Sequence, residues 1–270
     1  MEKGELLGRG MTAEVYKWGQ DKVLKLYLGD YNNDEWVKRE ALIGQKVHEA
    51  GVPSPAVFDI VEIDGQKGII LERIYGKTIL STLLTEPWMF CNYIHQIAEF
   101  HYKIHKCSTD GIPSQKERFE YKIKFSSEIL GDNVGKILDY IDSLPEGNSI
   151  CHGDLYPGNI IVSNNKLVAI DWGSGYRGDP LGDVAKTCLI ISSQAEFPET
   201  PDVLAAMSTY LRRLLYWDYL NEYMRIAKVK FEDIDAWMLP VAAARLKDKI
   251  PGEERWLMKI INKRLKQLEK

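Results

Sequence analysis

The periodicity of this chain changes once, near Gly76, and no low-complexity linker marks the change. Before Gly76 the apolar residues fall in short runs, at Val15–Tyr16, Val23–Tyr27, Phe58–Ile63 and Gly68–Leu71. Turn sequences separate them, Gly19-Gln20-Asp21 in the first pair and Asp64-Gly65 in the second. Short apolar runs joined by tight turns are the signature of antiparallel strands. One helical stretch interrupts, from about Asp34 to Ala50, stopped by Gly51 with Pro53 just beyond. After Gly76 the period becomes helical, as at Phe90, Tyr93, Ile94, Ile97, Phe100 and Ile104 within residues 88–107. Residues 134–144 and most of the chain from Leu181 onward share that texture, with loops near Pro198–Pro201 and Pro251–Gly252. Three short strands remain, at 150–151, 160–162 and 167–170, the last two joined by a turn at Asn164–Lys166. The pattern predicts an α+β fold with a small antiparallel-sheet lobe over residues 1–75, a larger helical lobe over 76–270 and a cleft between them.

The 270 residues are enough for two lobes. A net charge of −4 gives no reason to expect a nucleic acid or an anionic membrane as partner. The exception is a run of Arg255, Lys259, Lys263, Arg264, Lys266 and Lys270 at helical spacing, for which a solvated helix face is the plain reading. The four cysteines, Cys91, Cys107, Cys151 and Cys188, form no CxxC pair and have no histidine cluster beside them, so a zinc site is not expected. The first residues carry no apolar signal core, and no stretch is long enough to span a bilayer. A soluble, reduced, cytoplasmic protein is the expectation.

Four pieces occur in a fixed order. Gly8-Arg9-Gly10-Met11-Thr12 lies between two strands, where glycines let backbone amides approach phosphates, although an ordinary hairpin turn has the same composition. The loop does not lead into a helix, which argues against a dinucleotide fold. Lys25 follows on a strand and can neutralise phosphates if a carboxylate holds it; Glu40 is the better-placed candidate and Glu35 the alternative. The third piece, His152-Gly153-Asp154-Leu155-Tyr156-Pro157-Gly158-Asn159, sits in a loop between two apolar strands. Its carboxylate can orient a substrate hydroxyl, and its amide oxygen can ligate Mg²⁺, which takes hard oxygen donors. The fourth, Ile170-Asp171-Trp172-Gly173, ends a strand with a second carboxylate suited to the same metal. Together these residues are what a metal-assisted phosphoryl transfer requires.

The run HGDLYPGN resembles the HGDxxxxN signature of the aminoglycoside phosphotransferases and choline kinases. IDWG resembles their version of the kinase DFG motif, and GRGMTAEVY their glycine-rich loop. GDPLGDVA at residues 178–185 is similar to their GDPxxDLA segment, and IAEFH at 97–101 to their LAxLH stretch. The resemblance runs from about residue 4 to residue 190 and implies a protein-kinase-like fold. It implies that Gly8, Gly10 and Lys25 meet the nucleotide phosphates, with Glu40 paired to Lys25. Asp154 would be catalytic, with Asn159 and Asp171 on magnesium. Residues 71–76 would form the hinge, with backbone groups of Glu72 and Ile74 on the purine edge and Leu71 behind it. ATP would serve, and nothing in the sequence rejects GTP. His152 would brace the catalytic loop and Asp183 would support it. Gly182 departs from the family, which often has a larger residue there.

The acceptor is read from weaker features. Between Asp132 and Asp202 acids outnumber bases, among them Asp142, Glu146, Asp179, Glu196 and Glu199. That surplus suggests a negative cleft lip and a cationic acceptor. Asp218 and Glu222 share a helix face, and Trp217 and Tyr223 nearby can stack on a sugar or a cation; core packing is the competing reading, as it is for Trp237 and Trp256. The expected acceptor is a small cationic hydroxyl compound, an aminoglycoside-like antibiotic ahead of choline, a sugar or an amino alcohol. A non-catalytic nucleotide-binding protein would be expected to lack one of Lys25, Asp154, Asn159 or Asp171, and all are present.

Overall fold

The structure, a computed structural model, describes residues 3–193 and 209–268. The loop expected at 198–201, and Glu196, Glu199, Asp202 and Lys270 of the charge patterns, lie outside the described residues. The first part is an antiparallel sheet of β1 (Leu6–Arg9), β2 (Ala13–Trp18), β3 (Lys22–Tyr27), β4 (Val57–Ile63) and β5 (Gln66–Glu72), in the order β1-β2-β3-β5-β4. Helix α1 (Asp34–Glu49) connects β3 to β4 and begins at Asn33, whose side chain accepts the Trp36 N–H. The pleat of β3 sends alternate residues to opposite faces. Leu24 and Leu26 pack with Trp18 and Ile70 on one face, while Tyr27 packs with Val37 and Ala41 of α1 on the other. Lys25 shares the α1 side with Tyr27. Its position on the strand therefore aims it at a helix.

The second part opens with β6 (Lys77–Thr78), α2 (Ile79–Thr85) and α3 (Phe90–His105). Helices α4 (Gln115–Phe125), α5 (Ser127–Leu130) and α6 (Asn133–Ser143) follow, and Ser114 and Glu117 close a capping box at the start of α4. Strands β7 (Ser149–Cys151), β8 (Ile160–Ser163), β9 (Lys166–Ala169) and β10 (Tyr176–Gly178) form two small sheets, β10-β7 and β6-β8-β9. Beyond them come α7 (Pro180–Ser192), α8 (Thr209–Ala227), α9 (Phe231–Asp235), α10 (Met238–Arg245) and α11 (Glu254–Leu268). Their buried stripes, such as Ile94, Ile97 and Ile104 of α3 or Leu257, Ile261 and Leu265 of α11, make one core. Ile43 and Val47 of α1 belong to that core too, so α1 faces both parts and ties the sheet to the helical body.

No helix among the described residues is long and apolar enough to cross a membrane. Arg264 of the basic C-terminal helix pairs with Asp235, which draws part of that face into the fold.

Candidate active site

Lys25, Glu40 and Asp171 meet where β3, α1 and the end of β9 converge. The Lys25 ammonium donates to Glu40 at 2.5 Å and to Asp171 at 2.8 Å. Glu35, the alternative partner, instead reaches toward Arg39 at 3.9 Å. Lys25 and Glu40 are each only 6% exposed, whereas the Asp171 side chain is 43% exposed. Burial alone would lower the ammonium pKa, but the two carboxylates overcome it and raise it above its ordinary value, so the charge is permanent. Burial pushes the Asp171 carboxyl up, and Lys25 more than reverses that, leaving it lowered and ionised. Asp171 adopts φ 66°, ψ 66°, a left-handed conformation that aspartate tolerates better than most residues. That turn stops β9 and swings the carboxylate toward the cleft. Two residues on, a Cβ at Gly173 would lie 2.7 Å from a Glu40 carboxylate oxygen, so only glycine lets the turn pass α1.

Asp154 and Asn159 lie in the loop between β7 and β8. Asn159 donates its amide Nδ2 to the Asp154 carbonyl at 2.9 Å and to its carboxylate at 3.2 Å. That orientation turns the Asn159 amide oxygen away from Asp154, as a hard-metal ligand requires. Asn159 Oδ1 and the carboxylate of Asp171 are oxygen donors of the kind magnesium takes, and they fit that ion. Desolvation raises the Asp154 pKa to about 6, while the charges of Lys186 and Arg245 pull it the other way. The His152 ring donates Nε2–H to the Ile170 carbonyl at 3.0 Å, and its Nδ1 accepts the Asp154 N–H at 3.3 Å. One neutral imidazole thus links the backbone before Asp171 to the backbone of Asp154. Burial lowers its pKa and keeps it neutral.

Beneath this loop Asp183, at the start of α7, is fully buried. Its carboxylate accepts the backbone N–H of His152 at 2.6 Å and of Gly153 at 2.8 Å. It also faces Nε2 of His101 at 3.0 Å and of His105 at 3.3 Å, both on α3. The Nδ1 atoms of those rings face Tyr219 and Tyr223 of α8, each at 2.7 Å. An ionised carboxylate only accepts, so both Nε2 atoms carry the proton and both Nδ1 atoms accept from tyrosine. Each of these polar atoms has a partner, and the two tyrosine–histidine arms hold the Asp154 loop from below. His105, Tyr219 and Tyr223 were not singled out for this role from the sequence. The signal was there, because 101/105 and 219/223 are both spaced by one helical turn.

The remaining expected residues are placed as follows. Gly8 ends β1's inner half and Gly10 begins the β1–β2 turn, where its N–H donates to the Ala13 carbonyl. At the hinge, the Glu72 N–H goes to the Ala56 carbonyl and the Arg73 N–H to the Asp21 carbonyl. The Ile74 N–H has no partner among the described residues. Leu71, half-buried, pairs in register with Val23 and Val57. Gly182 has a packing reason: a Cβ there would sit 2.0 Å from the amide nitrogen of the buried Gln115, whose side chain bonds the backbone of Asp179.

Some of the residues expected to hold an acceptor have partners within the fold, while Trp217 is 41% exposed. Tyr223 is 1% exposed and bonded to His105, so it cannot stack on a ligand. Trp217 packs on Tyr216 and Phe231, and Glu222 forms a two-pronged ion pair with Arg225. The α8 positions that bond the histidines under the Asp154 loop are Tyr219 and Tyr223, not Asp218 and Glu222. Trp237 is buried against Phe119, and Trp256 packs on the core. Of the acidic surplus, Asp179 caps α7, Asp183 is buried, and Asp142 and Glu146 face Lys116.

A small antiparallel sheet with a buried lysine–glutamate pair, set over a helical body carrying an Asp–Asn loop and a second aspartate, defines a protein-kinase-like phosphotransferase. Within that class the chain belongs to the phosphotransferase enzyme family, whose sequence pattern matches residues 3–223. The fold is similar to that of an aminoglycoside-3'-phosphotransferase of type VIII, at 16% identity and TM-score 0.59 over 89% of this chain and 91% of that one. It is also similar to a choline/ethanolamine kinase family protein from Mesorhizobium loti, at 17% identity and TM-score 0.58 over 98% and 86%. A third similar structure is an aminoglycoside phosphotransferase from Streptomyces rimosus in complex with ADP and streptomycin, at 15% identity and TM-score 0.57 over 86% and 90%. No individual curated protein matches the chain.

Proposed function

We propose that this protein transfers the γ-phosphoryl group of ATP to a hydroxyl of a small molecule, with Asp154 as the catalytic carboxylate. The observation that carries the reading is convergence: Lys25 and Asp171 are bonded to each other, and Asp154 and Asn159 to each other, on a loop tied to Asp171's strand through His152. Lys25 supplies fixed positive charge for the phosphates. Asn159 and Asp171 would hold magnesium, which neutralises charge on the phosphates during transfer. The Ile74 N–H and the Glu72 carbonyl are the hinge groups that would meet the purine, and backbone groups of this kind serve ATP and leave GTP open. In the reaction the acceptor hydroxyl oxygen bonds to the γ-phosphorus and the bond to the β–γ bridging oxygen breaks. ADP leaves, and the hydroxyl proton passes to Asp154. A pKa near 6 suits that role, since the group is ionised at neutral pH yet basic enough to accept a proton.

A cationic acceptor is a second reading, favoured by relatives solved with streptomycin or kanamycin. Choline-type acceptors belong to the same reading, through the choline kinase relatives.

The test is coupled nucleotide turnover against hydroxyl acceptors, with and without a chelator. Turnover should require Mg²⁺, and Asp154→Asn should lower it by roughly 10² to 10⁴ while nucleotide still binds. Turnover that survives either change would place the chemistry elsewhere.

A further inference from the structure

A cleft of about 320 Å³, open in part to solvent, is lined by Gly153, the chain neighbour of Asp154. Three cationic side chains, Arg118 and Lys122 of α4 and Lys186 of α7, line it together with an apolar wall of Phe119, Val241 and Ala244. Helix α7 is bonded to the catalytic loop on both sides of Lys186. Asp183 accepts from His152 and Gly153, and Thr187 donates to the Leu155 carbonyl at 3.0 Å. Lys186 is therefore fixed in place relative to Asp154, and its charge acts on the Asp154 carboxylate.

The charges of this cleft do not balance. Lys122 and Lys186 share a single carboxylate, Asp248, at 2.9 and 3.2 Å. Arg118 has no carboxylate within ion-pair distance among the described residues; its guanidinium donates only to the Gly173 carbonyl at 3.3 Å. Three cationic side chains thus have one acid at ion-pair distance among the described residues, with the Asp154 carboxylate acting on Lys186 from farther off. Lys186 is 7% exposed, so the excess charge is not dispersed into water. Burial lowers its pKa to about 8 even with Asp248 beside it, and pulls Arg118 down to about 10 with Arg39 adding repulsion. Arg245 adds nothing to the imbalance because Glu253 holds it by two bonds. Tyr176 also lines the cleft, with its hydroxyl buried beside the Gln115 side chain.

We infer that this cleft binds an oxyanion of the acceptor, so that the substrate is a small hydroxyl compound bearing a carboxylate or phosphate group rather than a polycation. The inference rests on the kinase reading for its direction, since the cleft adjoins the proposed catalytic carboxylate. Arg118 and Lys122 contact the anion from α4 and Lys186 from α7. The free hydroxyl of the same molecule then lies at Asp154, where it takes the phosphoryl group and releases its proton as above. A polyamine sugar in this cleft would set its ammonium groups against three fixed cations.

The experiment has a binding arm and a turnover arm, both on the full chain. In the first, inorganic phosphate, glycerate, glycerol 3-phosphate, choline and kanamycin are titrated by calorimetry at constant ionic strength set with chloride. Phosphate or one of the two hydroxyl anions should bind saturably, and Arg118→Ala and Lys122→Ala should each weaken that binding at least tenfold. Stronger binding of glycerate identifies a carboxylate, and of glycerol 3-phosphate a phosphate. In the second arm, ATP turnover is measured with glycerate, glycerol 3-phosphate, glycerol, choline and kanamycin, and KM should rise more than kcat falls in the two variants. Choline or kanamycin as the best acceptor, with no anion binding above the chloride background, overturns this inference and leaves the kinase reading standing. Anion binding with no turnover of any acceptor overturns the kinase reading, and with it the assignment of the anion as acceptor.

Discussion

Asp154 carries two opposing demands. Its carboxylate is half-buried beside fixed charges, and desolvation raises its pKa to about 6. The folded protein therefore holds that proton more tightly than the unfolded chain does. That advantage is fully present below the ordinary carboxylate range and is lost progressively as pH rises from there through about 6. Asp154→Asn should be more stable than the parent at pH 7, by on the order of 1 kcal/mol once solvent screening is allowed for. Chemical denaturation at pH 5 and pH 7 measures it, and a difference that does not grow with pH would contradict the account. Turnover should move the other way, rising with pH through an apparent pKa near 6 as the carboxylate ionises. Lys25 presents a different balance. Lys25→Met leaves Glu40 buried and unpaired, so it should cost roughly 3–5 kcal/mol of stability. Adding Glu40→Leu should return most of that loss without returning nucleotide turnover, which separates the ion pair's part in the fold from its part in the chemistry.

At the scale of elements, the loop that carries Asp154 and Asn159 is held from beneath by α3, α7 and α8 acting as one unit. The loop contributes backbone N–H groups, α7 the Asp183 carboxylate, α3 two imidazoles and α8 two phenols. Burial first, and His101 second, pull the His105 pKa down to about 4, so the ring stays neutral in the fold. In the unfolded chain it takes a proton near pH 6.5. Its contribution is therefore fully present above about 6.5 and is lost as pH falls toward 4. His105→Phe should destabilise the protein by roughly 1–3 kcal/mol at pH 7, because it leaves the Tyr223 hydroxyl and one lone pair of Asp183 unpaired. The same variant should lose less stability than the parent between pH 6.5 and 4. Urea unfolding at those pH values checks both statements, and parallel loss in the two proteins would remove His105 from the acid transition.

At the scale of the molecule, α1 packs under the sheet and also enters the core of the helical part, with Glu40 on Lys25 and Ile43 and Val47 below. A nucleotide bound between Lys25 and Asp171 would engage both parts, so binding should stabilise the whole chain. At a nucleotide concentration a hundred times Kd the gain is about 2.7 kcal/mol. For a chain of this length that raises Tm by roughly 5–10 °C. A thermal-shift comparison of ATP and GTP with Mg²⁺ measures this, and stabilisation by GTP alone would contradict ATP as the donor.

Much of this was legible before any coordinates. The period change at Gly76 announced a sheet followed by helices, because strand and helix periodicities are written locally. The order of the glycine loop, Lys25, Asp154–Asn159 and Asp171 announced the candidate chemistry, because each residue lies inside a short motif with turn residues around it. Glu40 could be preferred to Glu35 only as a candidate; the pleat of β3 and the face of α1 decided it. Gly182 had no reading until Gln115, distant in sequence, was seen to occupy the space of its side chain. The acceptor side was least legible. An acid surplus along the chain says nothing of where each carboxylate points: Asp179 caps a helix, Asp183 sits in a buried network, and Asp142 and Glu146 face Lys116. The cationic cleft was equally invisible, since Arg118, Lys122 and Lys186 stand on helices that share no motif. Backbone periodicity and turn chemistry are local, so sequence alone determined the elements and the order of the motifs. The electrostatics of a cleft depends on side chains that only tertiary packing brings together, so the structure alone decided what surrounds Asp154.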